Sequence, residues 1–392
     1  MGERILDRLA AAEVGEDLAE RLGLVPGRID LIRAWPRGDD RLVLEYGDST
    51  GMRVVGQWCA DTDTLEGIAK ETALVADGNA VALIGDARAR VLLQAGGVDR
   101  RLPPLATLVR KRGASLVSHR PERRGVVWLP ADAGGTYVKV LPPAGAEAAL
   151  RAHCLMASIA GQSFAVPEVA AHDLAQGVIQ LHAVAGTPLH ALLPTTRGTQ
   201  AAAFVGFALR ALQRPIPPAE LSAHGPAAEA ATLRRWLLRL RPYAPELAVE
   251  LEDLVTAVER DLGGAPPGPF TTLHRDLHDK QLLVTESGDV ALIDLEGLAC
   301  GEAALDLANL LTHLELRAVQ GDCTVETAEL AAAALVDAAN PPQTVLRRLS
   351  AYAQSARLRL ACVYALRPRA RDVARRLIEK AAQRRRALPL GI

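Results

Sequence analysis

The chain has 392 residues, 49% of them hydrophobic, and a formal net charge of −1, so it can build two or three cored domains but has no overall basic field to draw it to nucleic acid or anionic lipid. Its apolar runs fall short of the roughly 18 residues of a membrane span, and Met1–Ala11 lacks the apolar stretch of a signal peptide. Five scattered cysteines without a CxxC pair read as reduced thiols, and the expectation is a cytoplasmic protein with no membrane or nucleic-acid partner, a monomer or homodimer.

Residues 3–23 have helical apolar spacing and close with Gly23. Strands are predicted over 29–34, 41–46 and 52–58, the last two joined by the turn sequence GDSTG. A helix over 64–75 and strands over 80–84 and 89–94 follow, and GGVDRRLPP (96–104) reads as a junction. A second β-rich set is expected at 114–118, 125–129 and 136–141, with ADAGG as its last turn. A faint likeness between residues 31–55 and 116–140 suggests a degenerate duplication of the two sets. Residues 177–193 read as strand, then Gly186 and Pro188, then helix. Beyond 183, helices are predicted over 199–212, 229–240, 245–262, 303–317, 324–338, 343–366 and 371–387, interrupted by strands at 282–285 and 290–294. The architecture expected is α+β, a β-rich first half joined to a helical second half.

The polar stretch LHRDLHDKQLLV (273–284) interrupts an apolar neighbourhood. The turn ESGD (286–289) folds the two short strands into a hairpin, which returns Asp294 to the loop carrying Asp276 and Gln281. Two carboxylates and an amide oxygen then converge at one point. Hard oxygen ligands of that kind suit Mg²⁺, which keeps waters and takes its remaining ligands from nucleotide phosphates. Asp276 is left to accept a proton from an attacking hydroxyl. The chain holds 40 arginines and five lysines. A lysine inside an apolar strand therefore needs a specific reason, and Lys139 is such a residue.

HRDLHDKQ…LIDLEG resembles the catalytic and metal loops of kinase-like small-molecule phosphotransferases: aminoglycoside phosphotransferases, choline kinases and maltokinase-type sugar kinases. The likeness covers roughly residues 110–320. It implies a two-lobed protein-kinase-like fold with an extra N-terminal cap: residues 1–100 as cap, 101–182 as N-lobe and 183–392 as helical C-lobe. It implies ATP and Mg²⁺ as cofactors and a small-molecule hydroxyl as acceptor. Asp276 is then the catalytic base, and Gln281, in place of the usual Asn, holds the metal with Asp294. His274 and Asp306, the latter in GEAALDLANLL, support the loop. Lys139 in GTYVKVL holds phosphates. FAVPEV (164–169) matches the strand before the hinge, and backbone groups near His182 and Val184 hold adenine. No GxGxxG precedes Lys139; RPERRG (120–125) occupies that loop. The acid that should pair with Lys139 is missing near Ala152–His153, which leaves Glu147 as the candidate. His278 and Glu296 are possible contacts to substrate or metal.

Each of these residues has a bland alternative. Asp276 could cap a helix, Asp294 could end a strand, Lys139 could snorkel to water, and His278 could be a packed loop histidine. His274-x-Asp276-x-His278 could instead bind a transition metal. The acceptor is expected to be a sugar or amino sugar. Residues 183–392 hold 23 acidic against 24 basic residues, so no acidic surplus awaits an aminoglycoside polycation, and few aromatics are present to cage a quaternary amine. An aminoglycoside phosphotransferase and a catalytically weak nucleotide-binding regulator are the alternatives.

Overall fold

The first half of the chain holds two three-stranded meanders, each followed by a helix and a hairpin. The computed structural model describes residues 4–23, 27–76, 81–85, 90–131, 134–213 and 221–387. Helices α1 (Ile5–Leu9) and α2 (Ala12–Arg21) come first, so the single helix expected over 3–23 is two. The break falls at Ala11, whose backbone is extended. The Leu9 carbonyl freed there accepts from the Tyr46 hydroxyl at 3.1 Å. Strands β1 (Asp30–Pro36), β2 (Arg41–Gly47) and β3 (Arg53–Cys59) precede helix α3 (Thr62–Leu74), and β4 (Val81–Gly85) and β5 (Arg90–Gln94) follow it. Asp61 caps α3 by accepting from the Thr64 N–H at 2.9 Å. The five strands form an antiparallel sheet in the order β1-β2-β3-β5-β4.

Helix α4 (Pro104–Val109) grows out of the stretch read as a junction. Strands β6 (Ser115–Arg120), β7 (Arg124–Leu129) and β8 (Thr136–Val140) lead into helix α5 (Pro143–Ala160), then β9 (Val169–Asp173) and β10 (Val178–His182). They pair, again antiparallel, in the order β6-β7-β8-β10-β9. Strand order, directions and the place of the intervening helix repeat those of the first sheet. Even a register shift recurs, between Leu31 and Arg33 in β1 and between Leu116 and Ser118 in β6. Those are corresponding positions in the faint sequence likeness, so the expected duplication has a structural counterpart. Helix α5 has no counterpart among the predicted elements. FAVPEV is irregular up to Val169 apart from a bridge between Ala165 and Ala291. Residues 132 and 133 of the ADAGG turn, and Ala80 and Ala89 at the starts of two predicted strands, lie outside the described residues.

The second half is helical. In chain order come β11 (Thr187–Pro188), α6 (Leu189–Leu192), α7 (Gly198–Leu212), β12 (Ala223–His224), α8 (Pro226–Leu240) and α9 (Pro245–Gly263). Next are β13 (Phe270–Leu273), β14 (Leu282–Val284), β15 (Val290–Leu292) and β16 (Ala299–Glu302). The chain then runs through α10 (Ala304–Gln320), α11 (Val325–Ala339), α12 (Gln343–Ala365) and α13 (Arg371–Ala387). All seven helices expected here are present, each end within three residues of its expected place. The strand expected over 290–294 stops at Leu292. The α+β class stands. Among the described residues no helix is long and apolar enough to cross a membrane.

The first sheet packs against both of its neighbours. One apolar core joins Leu9, Leu18 and Leu44 to Tyr243, Leu262 and Leu366 of the helical half. The Ala34 N–H donates to the Leu366 carbonyl (2.9 Å) and the Tyr243 hydroxyl to the Arg41 carbonyl (3.1 Å). Arg41 and Arg100 both reach Glu122 in the turn between β6 and β7, at 3.4 and 2.8 Å. That turn hangs on buried Asp99, which accepts from the Glu122 N–H (2.6 Å) and pairs with His119 (2.9 Å). The sheet thus fixes the edge of the second sheet that overlooks the loops after β13 and β15.

Candidate functional site

The loop from His274 to Gln281 is held from beneath. Asp306, fully buried in the first turn of α10, accepts from the backbone N–H groups of His274 (2.6 Å) and Arg275 (2.8 Å). These bonds hold Arg275 in the left-handed region (φ 69), a conformation that costs a non-glycine residue about 1–2 kcal/mol. The His274 ring is also buried, and its Nε2 donates to the Ile293 carbonyl at 2.9 Å. The Asn309 amide donates to the Leu277 carbonyl at 2.7 Å. With its neighbours pinned, Asp276 keeps its carboxylate 59% exposed, and Arg359 Nη1 stands 3.8 Å away.

The hairpin β14-β15 brings the second set of groups to the same place. Leu282 pairs with Leu292, and the Ile293 N–H donates to the Gln281 carbonyl at 3.0 Å. Asp294 follows in the left-handed region (φ 67, ψ 53), which turns its carboxylate back toward the sheet. Lys139 Nζ lies 3.1 Å and Arg124 Nη1 2.6 Å from Asp294 Oδ1, and Gln281 Nε2 lies 3.5 Å from Oδ2. Lys139 also pairs with Glu296, and Arg124 Nη1 stands 3.5 Å from it. Burial alone would raise the Asp294 pKa, but Lys139 and Arg124 outweigh it and hold the carboxyl well below the usual range. Glu296 is pushed the other way, by burial first and then by the charge of Asp294.

The donor set fits a hard divalent cation. The side-chain amide oxygen of Gln281, Oε1, is buried without a hydrogen-bond partner, beside an ionised Asp294. A buried acceptor left unmade is costly unless something else satisfies it. The transition-metal alternative finds no such support. His274 Nε2 is spent on Ile293, and the His278 ring stacks on His313 at 4.9 Å. His278 Nδ1 accepts from the Lys280 N–H (3.2 Å), so this is a ring packed within its own loop. Among the described residues no cluster of three His, Cys, Asp or Glu could hold a metal ion.

Glu147 is not the partner of Lys139. It sits in the first turns of α5 with its side chain 60% exposed and pairs with Arg151. The α5 residue that falls within electrostatic reach of Lys139 and Asp294 is His153, buried and without a partner at either ring nitrogen. Burial first, and then the charge of Lys139, lower its pKa to about 4, so it stays neutral. With Glu147, the acid of this helix, turned to Arg151, Asp294 and Glu296 neutralise Lys139 instead. In the connection after β10, the His182 N–H is spent on the Glu168 carbonyl (2.9 Å) and the Ala183 N–H on the Gly135 carbonyl (3.3 Å). Val184 keeps its backbone N–H without a partner among the described residues. Sequence reasoning missed Arg124 and Arg359. The three arginines of RPERRG were a signal for the first; nothing local marks the second, which comes from α12.

The APH family, described as the phosphotransferase enzyme family, matches residues 119–352, more than half of the chain. A search of curated proteins found no match. Among solved structures, an ethanolamine kinase of Plasmodium vivax is similar with a TM-score of 0.51 at 11% identity, over 71% of this chain and 84% of that one. A spectinomycin phosphotransferase in complex with ADP and spectinomycin is similar with a TM-score of 0.50 at 11% identity, over 69% and 92%. At such identities the likeness is one of fold, and it agrees with a β-rich lobe that carries Lys139 above a helical lobe that carries Asp276. The family match spans every charged residue that converges on Asp294, from Arg124 to Glu296, and the chain belongs to the phosphotransferase enzyme family.

Proposed function

We propose that this protein transfers the γ-phosphoryl group of ATP to a hydroxyl group of a small molecule, with a sugar or amino sugar as the first class to test. The observation that carries the reading is the convergence of Lys139, Arg124 and Gln281 on Asp294, beside a carboxylate, Asp276, left open to solvent. Lys139 and Arg124 would receive the phosphates that displace them from Asp294. The Val184 N–H would hold adenine. Gln281 and Asp294 would hold Mg²⁺, which when bound neutralises phosphate charge. Asp276 accepts the proton of the acceptor hydroxyl as its oxygen attacks phosphorus, and Arg359 keeps that carboxylate oriented. Little covalent chemistry is asked of the protein; positioning and charge supply the rate. Residues 1–100 act in this reading as a cap, 101–182 as the nucleotide lobe and 183–392 as the acceptor lobe.

The regulator alternative rested on the missing acid beside Lys139. The pairing of Lys139 with Asp294 and Glu296 supports the enzyme reading over it. The test is phosphate transfer from ATP across a panel of sugars, amino sugars, aminoglycosides and amino alcohols, followed by phosphorus NMR of the product. A new phosphate ester with stoichiometric ADP is expected. Nucleotide binding without transfer to any member would return the regulator.

A further inference from the structure

Arginines from separate parts of the chain gather beside Arg124, within electrostatic reach of Asp294 and Asp276. A pocket of about 230 Å³ lies between the first sheet and the β6–β7 edge, with Arg33, Arg53, Arg120, Arg124, Trp35 and Glu45 in its wall. Not all of these charges are available. Arg124 is committed to Asp294, and His119 on the same wall to Asp99. Arg33 (2.7 Å) and Arg53 (3.6 Å) share a single carboxylate, Glu45. Arg120 has no carboxylate within ion-pair distance among the described residues; the charges acting on it are Arg124, Asp294, Arg33 and Asp276. Within ion-pair distance, Arg33, Arg53 and Arg120 thus have between them one carboxylate, Glu45, among the described residues.

The arrangement is also built. The guanidinium groups of Arg33 and Arg120 lie over the same indole, 4.7 and 5.8 Å from the centroid of Trp35. Stacking of this kind fixes a guanidinium plane and leaves its N–H edge free for a planar or tetrahedral oxyanion. A contact meant only to hold the first sheet to its neighbour would match these arginines with acids, as Glu122 and Glu71 together match Arg41 and Arg100. Within the β6–β7 turn the two ends differ: Arg124 stands with Lys139 at Asp294, whereas Arg120 lies over Trp35 of the first sheet.

We infer that the acceptor carries an anionic group, a carboxylate or a phosphate ester, received by Arg33 and Arg120 beside Trp35 while its hydroxyl lies at Asp276. This rests on the phosphotransferase reading above. It narrows the acceptor to acidic sugars or sugar phosphates and disfavours amino sugars and aminoglycosides. The test is calorimetric binding of D-gluconate, D-glucose 6-phosphate, D-glucose and D-glucosamine to the full chain, with and without Mg²⁺ and a non-hydrolysable ATP analogue. At least one of the two anions should bind about tenfold more tightly than glucose, the size of one charge-assisted contact. Which anion does so distinguishes a carboxylate from a phosphate. Arg120→Gln and Arg33→Gln should each remove that preference and leave glucose binding unchanged. Arg120 is exposed, so its variant should keep the parent melting temperature. Glucose or glucosamine binding as well as both anions, no anion binding, or unchanged anion affinity in Arg120→Gln overturns the inference. Phosphorylation of neutral sugars without anion preference overturns it while the phosphotransferase reading stands. Anion binding without any phosphate transfer upholds the site and overturns that reading.

Discussion

At the residue scale, the site is a set of charges whose partners change when substrate enters. Lys139, Arg124 and Gln281 all attend Asp294, and only Asp276 stands apart. Gln281 is expected to act through its unpartnered side-chain amide oxygen. Gln281→Asn should therefore retain part of the metal-dependent turnover and Gln281→Leu almost none; equal rates in both would remove Gln281 from the metal site. Glu147→Ala should leave ATP affinity within about twofold of the parent, as for an ordinary surface position, measured by nucleotide titration. His153 supplies a pH prediction. Its pKa falls from the ordinary 6.5 to about 4 on folding, so the unfolded chain takes up a proton that the fold excludes. Stability from this group is complete above pH 6.5 and is lost as pH falls toward 4, by up to about 3 kcal/mol. His153→Leu should flatten the acid side of a melting-temperature curve between those values. Asp276, Gln281, Asp294 and Asp306 were legible because one loop and one helix turn fix their spacing. The surroundings of Lys139 were not, because they depend on how α5 faces a hairpin over a hundred residues away.

At the scale of elements, the first sheet repeats the second in strand order and even in the place of its register shift. The sequence shows this only faintly, since apolar alternation survives where identities do not. The helices of the second half were legible through their apolar spacing. Helix α5 was not, for its alanine-rich stretch after Pro142–Pro143 carries a weak stripe, and strand β16 has only four residues. Asp99 shows how the two sheets communicate: it holds the Glu122 N–H and His119, and so the turn between Arg120 and Arg124. Asp99→Ala leaves a buried histidine and a buried N–H without their acceptor and should cost about 3 kcal/mol by denaturant midpoint. It should also weaken ATP binding, because Arg124 begins the strand that follows this turn. A stable variant with parent ATP affinity would show that the turn is held by other contacts.

At the scale of the whole molecule, the first sheet, helix α5 and the helical half share one apolar core, and the first sheet and the β6–β7 edge enclose a pocket that Arg124 helps to line. Deleting residues 1–95 strips Leu9 and Leu44 from that core and the backbone bond at Leu366, and should leave protein that is insoluble or weakly active. A soluble truncation with full turnover would count against a capping role. The α+β class and the polar loop could be read from spacing along the chain and the two-lobed arrangement from the family resemblance, whereas the arginines beside Trp35 could not. Arg33 and Arg120 lie too far apart in sequence to be seen as meeting over Trp35. The central claim is that Asp276 takes the acceptor proton while other residues hold the nucleotide, and Asp276→Asn tests it most directly. Turnover should fall by about 10²–10⁴-fold, the range for a lost general base, with ATP affinity measured by titration essentially unchanged. Turnover close to the parent, or loss of ATP binding together with activity, would contradict the account.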